Sequence, residues 1–106
     1  MRDIQPILQE LKTRLTEIYG DRLKGLYLFG SYARGEAEED SDIDLAVVLD
    51  DFESAWQEKR RWSRARAATA LKYECVPSLL PIREADFRSR DRLLMRNVRG
   101  EGVPVL

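Results

Sequence analysis

The sequence predicts an α/β domain in which a small mixed sheet is flanked by helices. Stretches with helical apolar spacing alternate with short apolar runs of strand length, in the order αβαβαβα. The chain has 106 residues, of which 43% are hydrophobic and 35% charged. This composition is typical of one soluble domain with a modest core, so we expect residues 1–106 to form a single domain.

The N-terminal part predicts a helix followed by a strand and a turn. Apolar residues recur every three or four positions over Ile4–Ile18, the spacing of one helical face. Gly20 ends this helix, and the apolar, aromatic-rich run Leu23–Phe29 predicts a buried strand. Gly30 and Ser31 follow at once, and Ser31 is placed to cap a short helix that Gly35 ends.

The middle of the chain predicts a loop, a second strand and a second long helix. The stretch Glu36–Ser41 is acidic and has no apolar anchor, which indicates an exposed loop. The run Asp42–Leu49 that follows it is mostly apolar and predicts a strand. Apolar residues then recur among basic ones over Ser54–Leu71, where good helix formers dominate.

The last third predicts an edge strand and a final helix. Pro77 and Pro81 interrupt the apolar run Cys75–Ile82, and a proline cannot donate a hydrogen bond to a sheet ladder. We therefore expect this run to lie at an edge of the sheet. A helix is predicted over Glu84–Asn97, and glycines end it before the short tail VPVL.

The composition also excludes several kinds of chemistry. Histidine is absent, which rules out Ser-His and Cys-His nucleophilic catalysis and histidine-ligated zinc. The single cysteine, Cys75, lies in an apolar run, where we expect a small core residue. No apolar run approaches the roughly 20 residues that span a bilayer, and no signal peptide is evident. We expect a cytoplasmic protein with no membrane contact, and carboxylates as its catalytic groups.

One acidic pair and one turn carry the candidate chemistry. Asp42 and Asp44 are two residues apart on a predicted strand, so their carboxylates project from the same face. Such a pair repels itself unless a cation neutralises it, and Mg²⁺ prefers one or two carboxylates together with phosphate oxygens. Gly30 lets a phosphate approach the backbone, and Ser31 adds a hydroxyl at a helix start. Taken singly, each feature also fits an ordinary strand end or turn, but together they predict a metal-nucleotide site.

The segment LFGSYARGEAEEDSDIDLAVVL resembles the signature of the minimal nucleotidyltransferases in the DNA polymerase β-like superfamily. Gly30 and Ser31, ten intervening residues and the sequence Asp42-Ile43-Asp44 match its pattern. The closing segment LLMRNVRGEGVPVL is similar to the last helix and tail of such proteins, so nearly the whole chain is covered. The resemblance implies the polymerase β-like palm fold. It also implies that Gly30 and Ser31 hold a triphosphate while Asp42 and Asp44 bind two Mg²⁺ ions.

Two further site residues are predicted, one from this resemblance and one from the chemistry of its side chain. The family has a third carboxylate on the next strand, usually Asp, and the acidic residue that directly precedes that strand here is Glu74. We therefore assign Glu74 as the third metal ligand and general base, with a plain surface residue beside Lys72 as the alternative. Arg34 is a candidate for binding the triphosphate by a bidentate fork, and it fits a partner for the acidic loop equally well.

The resemblance implies an enzyme that transfers a nucleotide, often AMP from ATP, to a hydroxyl group. For small stand-alone members, a frequent acceptor is a tyrosine on a partner toxin with a HEPN domain. We therefore expect an antitoxin in a hetero-oligomer with such a toxin. The alternative is a catalytically weakened antitoxin of the same fold that neutralises its partner by binding alone.

Charge argues against strong binding of nucleic acid. Arginines are clustered between Arg83 and Arg99, but acidic residues are interspersed among them and the net charge of the chain is −1. We interpret this cluster as a solvated helix face.

Overall fold

The computed structural model describes residues 2–89 and 100–105, which form a four-stranded sheet with helices on both faces. The helices are α1 (Gln5–Tyr19), α2 (Gly30–Ala33), α3 (Ala55–Tyr73) and α4 (Glu84–Arg88), and a short 3₁₀ helix spans Gly20–Arg22. The strands are β1 (Leu23–Phe29), β2 (Ile43–Leu49), β3 (Pro77–Arg83) and β4 (Val103–Pro104). The mixed α/β fold is therefore confirmed. The helix predicted over Glu84–Asn97 begins as predicted but ends at Arg88, because the chain is already extended at Ser89, and residues 90–97 lie outside the described residues.

The sheet has the strand order β3-β2-β1-β4. β1 runs antiparallel to both β2 and β4, whereas β3 runs parallel to β2. β3 lies at an edge, as its prolines predict. β4 is an addition to the predicted order, because two residues of the tail pair with Tyr27 and Leu28.

The main core lies between the sheet and the helices α1 and α3. The apolar face of α1 is buried, including Ile7, Leu11 and Leu15. These side chains meet Leu45 and Val47 of β2 on the inner face of the sheet. Burying each large aliphatic side chain contributes about 1.5–3 kcal/mol, so this layer supplies much of the driving force for folding.

The same interface contains a buried carboxylate. Glu58 of α3 is 2% exposed. It accepts a hydrogen bond of 3.1 Å from the Tyr19 hydroxyl and pairs with Arg61 at 3.5 Å. Burial and the neighbouring Glu58 carboxylate raise the pKa of Tyr19, so this hydroxyl keeps its proton and continues to donate.

The opposite face of the sheet is less covered. Alternation along β2 places Ala46 and Val48 on this face, where they join Ile82 in a second, smaller cluster. Phe87 of α4 stacks on Tyr27 with ring centroids 4.9 Å apart and closes one end of the face. The other end, toward the start of β2, is where the acidic pair lies.

The turn after β1 differs from the sequence prediction in one respect. α2 begins at Gly30, the residue in the N-cap position is Phe29, and no side chain makes a capping hydrogen bond. The prediction that Ser31 caps this helix is therefore wrong. Gly30 adopts φ +74° and turns the chain directly out of the strand, so Ser31 already lies inside the first helical turn.

Within the described residues, no helix combines the length and the apolar character needed to cross a bilayer.

Candidate active site

The aspartate pair lies where β2 begins. Asp42 is exposed and directly precedes the strand, and Asp44 is its second residue and is half-buried. In the sheet, Asp44 stands opposite Phe29 of β1 on one side and beside Ser78 of β3 on the other. The pair therefore lies at the start of β2, one of the two inner strands, on the face of the sheet that α1 and α3 leave free.

Gly30 is in direct contact with the Asp44 carboxylate. A Cβ atom at position 30 would lie 2.3 Å from Oδ2 of Asp44 and 3.1 Å from its Cγ. This is far inside van der Waals contact, so any side chain at position 30 would displace the carboxylate. The absence of a Cβ therefore brings the turn after β1 and the acidic pair together in one site.

The electrostatics of the site favour a cation. Burial raises the pKa of Asp44, the negative charge of Asp42 raises it further, and Arg34 partly opposes both effects. The charged form of Asp44 is thus destabilised by its surroundings in the folded chain. Two oxygen donors under such repulsion fit a hard divalent ion such as Mg²⁺, which would relieve it.

Arg34 takes part in ion pairs at the edge of this site. Its Nε donates to Glu36 at 3.0 Å, and its guanidinium also donates to Glu101 at 3.3 Å. The expected pairing with the acidic loop is therefore present. The Arg34 charge nevertheless acts on Asp44 and partly lowers the pKa of its carboxyl.

The structure does not bring Glu74 to the aspartate pair. Glu74 caps the C-terminus of α3 in a left-handed conformation (φ 51°), is exposed, and borders a surface depression with Arg2 and Glu39. Residues 2–89 and 100–105 contain no group of three or more His, Cys, Asp or Glu side chains that could hold a metal ion. The assignment of Glu74 as third ligand is therefore not supported. The physical reason is that Glu74 completes the helix before the chain crosses to β3, and Arg2 holds its carbonyl oxygen there.

The residue that sequence reasoning missed is Ser78. It is exposed and neighbours Asp44 across the parallel pair of β2 and β3. A third side chain could join the aspartates from β3 at this position, and here it is a hydroxyl. Only the register of β3 against β2 identifies Ser78, and the apolar pattern of Cys75–Ile82 does not determine that register.

Comparison with known proteins places these observations in a family. The family profile described as "Nucleotidyltransferase domain" matches residues 8–97. A candidate protein adenylyltransferase of Methanocaldococcus jannaschii is 33% identical over 76 residues, which are 72% of this chain and 76% of that protein. The protein adenylyltransferase MntA of Thermococcus cleftensis is 44% identical over 54 residues, 51% of this chain and 52% of that protein. The chain thus aligns with about half the length of this second relative.

Solved structures share the fold. A toxin-antitoxin crystal structure with AMP-PNP superposes with a TM-score of 0.68 at 23% identity, covering 93% of this chain and 72% of that one. A tri-AMPylated HEPN toxin of Shewanella oneidensis in complex with an MNT antitoxin gives a TM-score of 0.64 at 21% identity. That match covers 98% of this chain and 72% of the other. At these identities the likeness establishes the architecture.

Proposed function

The chain belongs to the nucleotidyltransferase domain family, and from this premise we propose that it transfers AMP from ATP to a hydroxyl group of a partner protein in the cytoplasm. The single observation that carries the proposal is the contact between Gly30 and Asp44, because it unites the turn and the acidic pair in one site. Relatives named as protein adenylyltransferases support the choice of AMP and of a protein acceptor.

Asp42 and Asp44 are the residues that would hold Mg²⁺. Their repulsion and the raised pKa of Asp44 support this role. Two ions are the expected complement for nucleotidyl transfer. Mg²⁺, when bound, offsets the negative charge that develops on the phosphate oxygens as the bond to pyrophosphate breaks.

Gly30, Ser31 and Arg34 would bind the triphosphate. Gly30 leaves the backbone open beside Asp44, and the Ser31 hydroxyl lies in the helical turn that follows. Arg34 is exposed, and its partners Glu36 and Glu101 are carboxylates on the surface. A triphosphate carries more charge than either carboxylate, so it can replace them on the guanidinium.

The transfer follows from this arrangement. The acceptor oxygen attacks the α-phosphorus of ATP, the bond from that phosphorus to the bridging oxygen breaks, and pyrophosphate leaves. The proton of the acceptor hydroxyl passes to water, since no third carboxylate accompanies Asp42 and Asp44 in the described residues. Ser78, beside Asp44, is placed to contact the incoming acceptor.

The acceptor is proposed to be a HEPN-type toxin, which would make this chain an antitoxin in a hetero-oligomer. Support comes from the fold: a similar structure is an MNT antitoxin bound to a HEPN toxin that carries AMP. In the described residues no acceptor-binding element stands apart from the sheet and its helices. The partner protein therefore brings the acceptor hydroxyl to the site.

The test is transfer of label from α-³²P-ATP with Mg²⁺ to a co-expressed HEPN partner. Asp42→Asn and Asp44→Asn should each abolish labelling, because each removes a proposed metal ligand. Asp40→Asn is the matched control: it makes the same change in the exposed loop just before the site and should label normally. A stable complex that is never labelled, even with the wild-type chain, would contradict the transferase proposal and leave binding alone as the mode of neutralisation.

A further inference from the structure

A groove runs along the open edge of the sheet between α3 and β3. Its volume is about 240 Å³. The buried side chains of Trp62 and Leu79 lie at its base. Its polar lining consists of Lys59, Ser63 and Arg66 from α3 and Ser78 from β3.

The groove contains positive charge that the described residues do not neutralise. Arg66 donates from Nε to the carbonyl oxygen of Pro77 at 2.7 Å, which anchors its guanidinium against β3. Its two terminal nitrogens make no hydrogen bond within residues 2–89 and 100–105, and Lys59 makes no ion pair there. Arginines elsewhere on this surface, such as Arg22 and Arg83, are paired with carboxylates.

The groove lies on the face of the sheet that α3 covers, at the edge formed by β3, whereas the proposed active site lies on the opposite face, one strand further in. Ser78 lines the groove and neighbours Asp44 in the sheet, and adjacent strands lie about 4.8 Å apart. The cations of α3 lie one layer above the sheet, and packed layers are about 10 Å apart, so a segment that leaves the groove crosses roughly 15 Å round the edge of β3 to reach the aspartates. An extended peptide covers that distance in about five residues. A segment in the groove can therefore be continuous with a side chain at the aspartate pair.

Building on the proposed function, we propose that this groove binds an acidic segment of the acceptor protein. One or two carboxylates about five residues away from the acceptor hydroxyl would pair with Lys59 and Arg66. The groove then selects acceptors by their charge near the hydroxyl, whereas the aspartate pair and the turn after β1 handle the nucleotide.

A peptide fits this groove better than a nucleic acid does. Nucleic-acid binding depends on many phosphate contacts along the backbone, and the groove provides two cations. The acidic loop before β2 carries Glu38, Glu39 and Asp40, all exposed, which would repel a phosphodiester chain near the site. A short segment with one or two carboxylates can enter the groove and avoid that loop.

The experiment measures peptide binding by fluorescence polarisation, without nucleotide. The probe is a fluorescein-labelled peptide in which three glycines separate a tyrosine from three glutamates, and the comparison peptide has glutamines in place of the glutamates. We expect the glutamate peptide to bind at least about fivefold more tightly, with the preference lost in Lys59→Glu. Arg64→Glu is the matched control, because it makes the same charge change on the exposed part of α3 outside the groove and should keep the preference.

Three results would overturn the proposal. The first is equal binding of the two peptides by the wild-type chain. The second is an equal loss of preference in Lys59→Glu and Arg64→Glu. The third is tighter binding of a labelled ten-uridine RNA than of the glutamate peptide, if Lys59→Glu also abolishes this RNA binding. Because no nucleotide is present, a chain that fails to transfer AMP would still show the peptide preference, so the two proposals fail separately.

Discussion

Replacing Gly30 with alanine tests whether the turn after β1 positions the catalytic carboxylate. The new Cβ would lie 2.3 Å from Oδ2 of Asp44, whereas ordinary contact begins at 3.4 Å. The carboxylate therefore has to move by about 1 Å, and a displacement of this size in an active site costs about 100-fold in rate. We expect Gly30→Ala to lose about two orders of magnitude in AMP transfer and to bind Mn²⁺ more weakly.

Gly35→Ala separates this contact from the cost of backbone strain. Gly35 has φ +72°, nearly the same as +74° at Gly30, but a Cβ there would meet nothing within 4 Å. Both alanines occupy the left-handed region, so each should lower the free energy of unfolding by about 1–2 kcal/mol. Only Gly30→Ala should also lose transfer activity.

The assays are urea denaturation for stability, electron paramagnetic resonance for Mn²⁺ binding, and labelled AMP transfer for activity. Transfer is compared at a temperature where both variants are folded. Wild-type activity in Gly30→Ala would refute the positioning role of the glycine. An equal loss of activity in Gly35→Ala would instead attribute the effect to strain.

Three further predictions concern the site and the core. Ser78→Asp adds a carboxylate beside Asp44 and should raise Mg²⁺ affinity by about tenfold in calorimetry, whereas the uncharged Ser78→Asn should not. Because burial raises the pKa of Asp44, the folded chain binds that proton more tightly than the unfolded chain, and stability falls as the pH rises above about 4. Asp44→Asn should therefore increase the free energy of unfolding at pH 7 without metal, and an unchanged or lower value would contradict this. Tyr19→Phe removes the hydroxyl that donates to the buried Glu58 carboxylate, leaves the ion pair with Arg61, and should cost about 1–3 kcal/mol in urea denaturation. Tyr27→Phe is the control and should cost little stability, because the Tyr27 hydroxyl makes no hydrogen bond within residues 2–89 and 100–105. Equal losses of unfolding free energy in the two variants would refute this explanation.

Several features follow from neighbouring residues and were predictable from the sequence. The observed bounds of β1, Leu23–Phe29, coincide with the predicted ones, and α1 differs from its prediction by one residue at each end. The edge position of β3 follows from its two prolines. The spacing of Asp42 and Asp44 on one strand and the Gly-Ser turn before them were likewise sufficient to predict a metal-nucleotide site, whose occupancy stays a prediction.

Other features depend on which distant residues meet. Glu74 was the acidic residue just before the predicted third strand, yet the register of β3 against β2 places Ser78 beside Asp44 instead. A shift of one residue in register moves every side chain to the other face of a sheet, and an apolar run interrupted by prolines does not specify it. The pairing of β4 with β1 escapes prediction for a related reason, because two residues carry no periodicity.

The sequence by itself determined the fold class, the limits of the long helices and the carboxylate pair, because these depend on spacing along the chain. Only the tertiary structure decided that Gly30 touches the Asp44 carboxylate, and that Arg66 of α3 shares a groove with Ser78 of β3. The physical reason is that contacts across strands and layers arise from packing a whole sheet against its helices, and that packing is not encoded in any one segment.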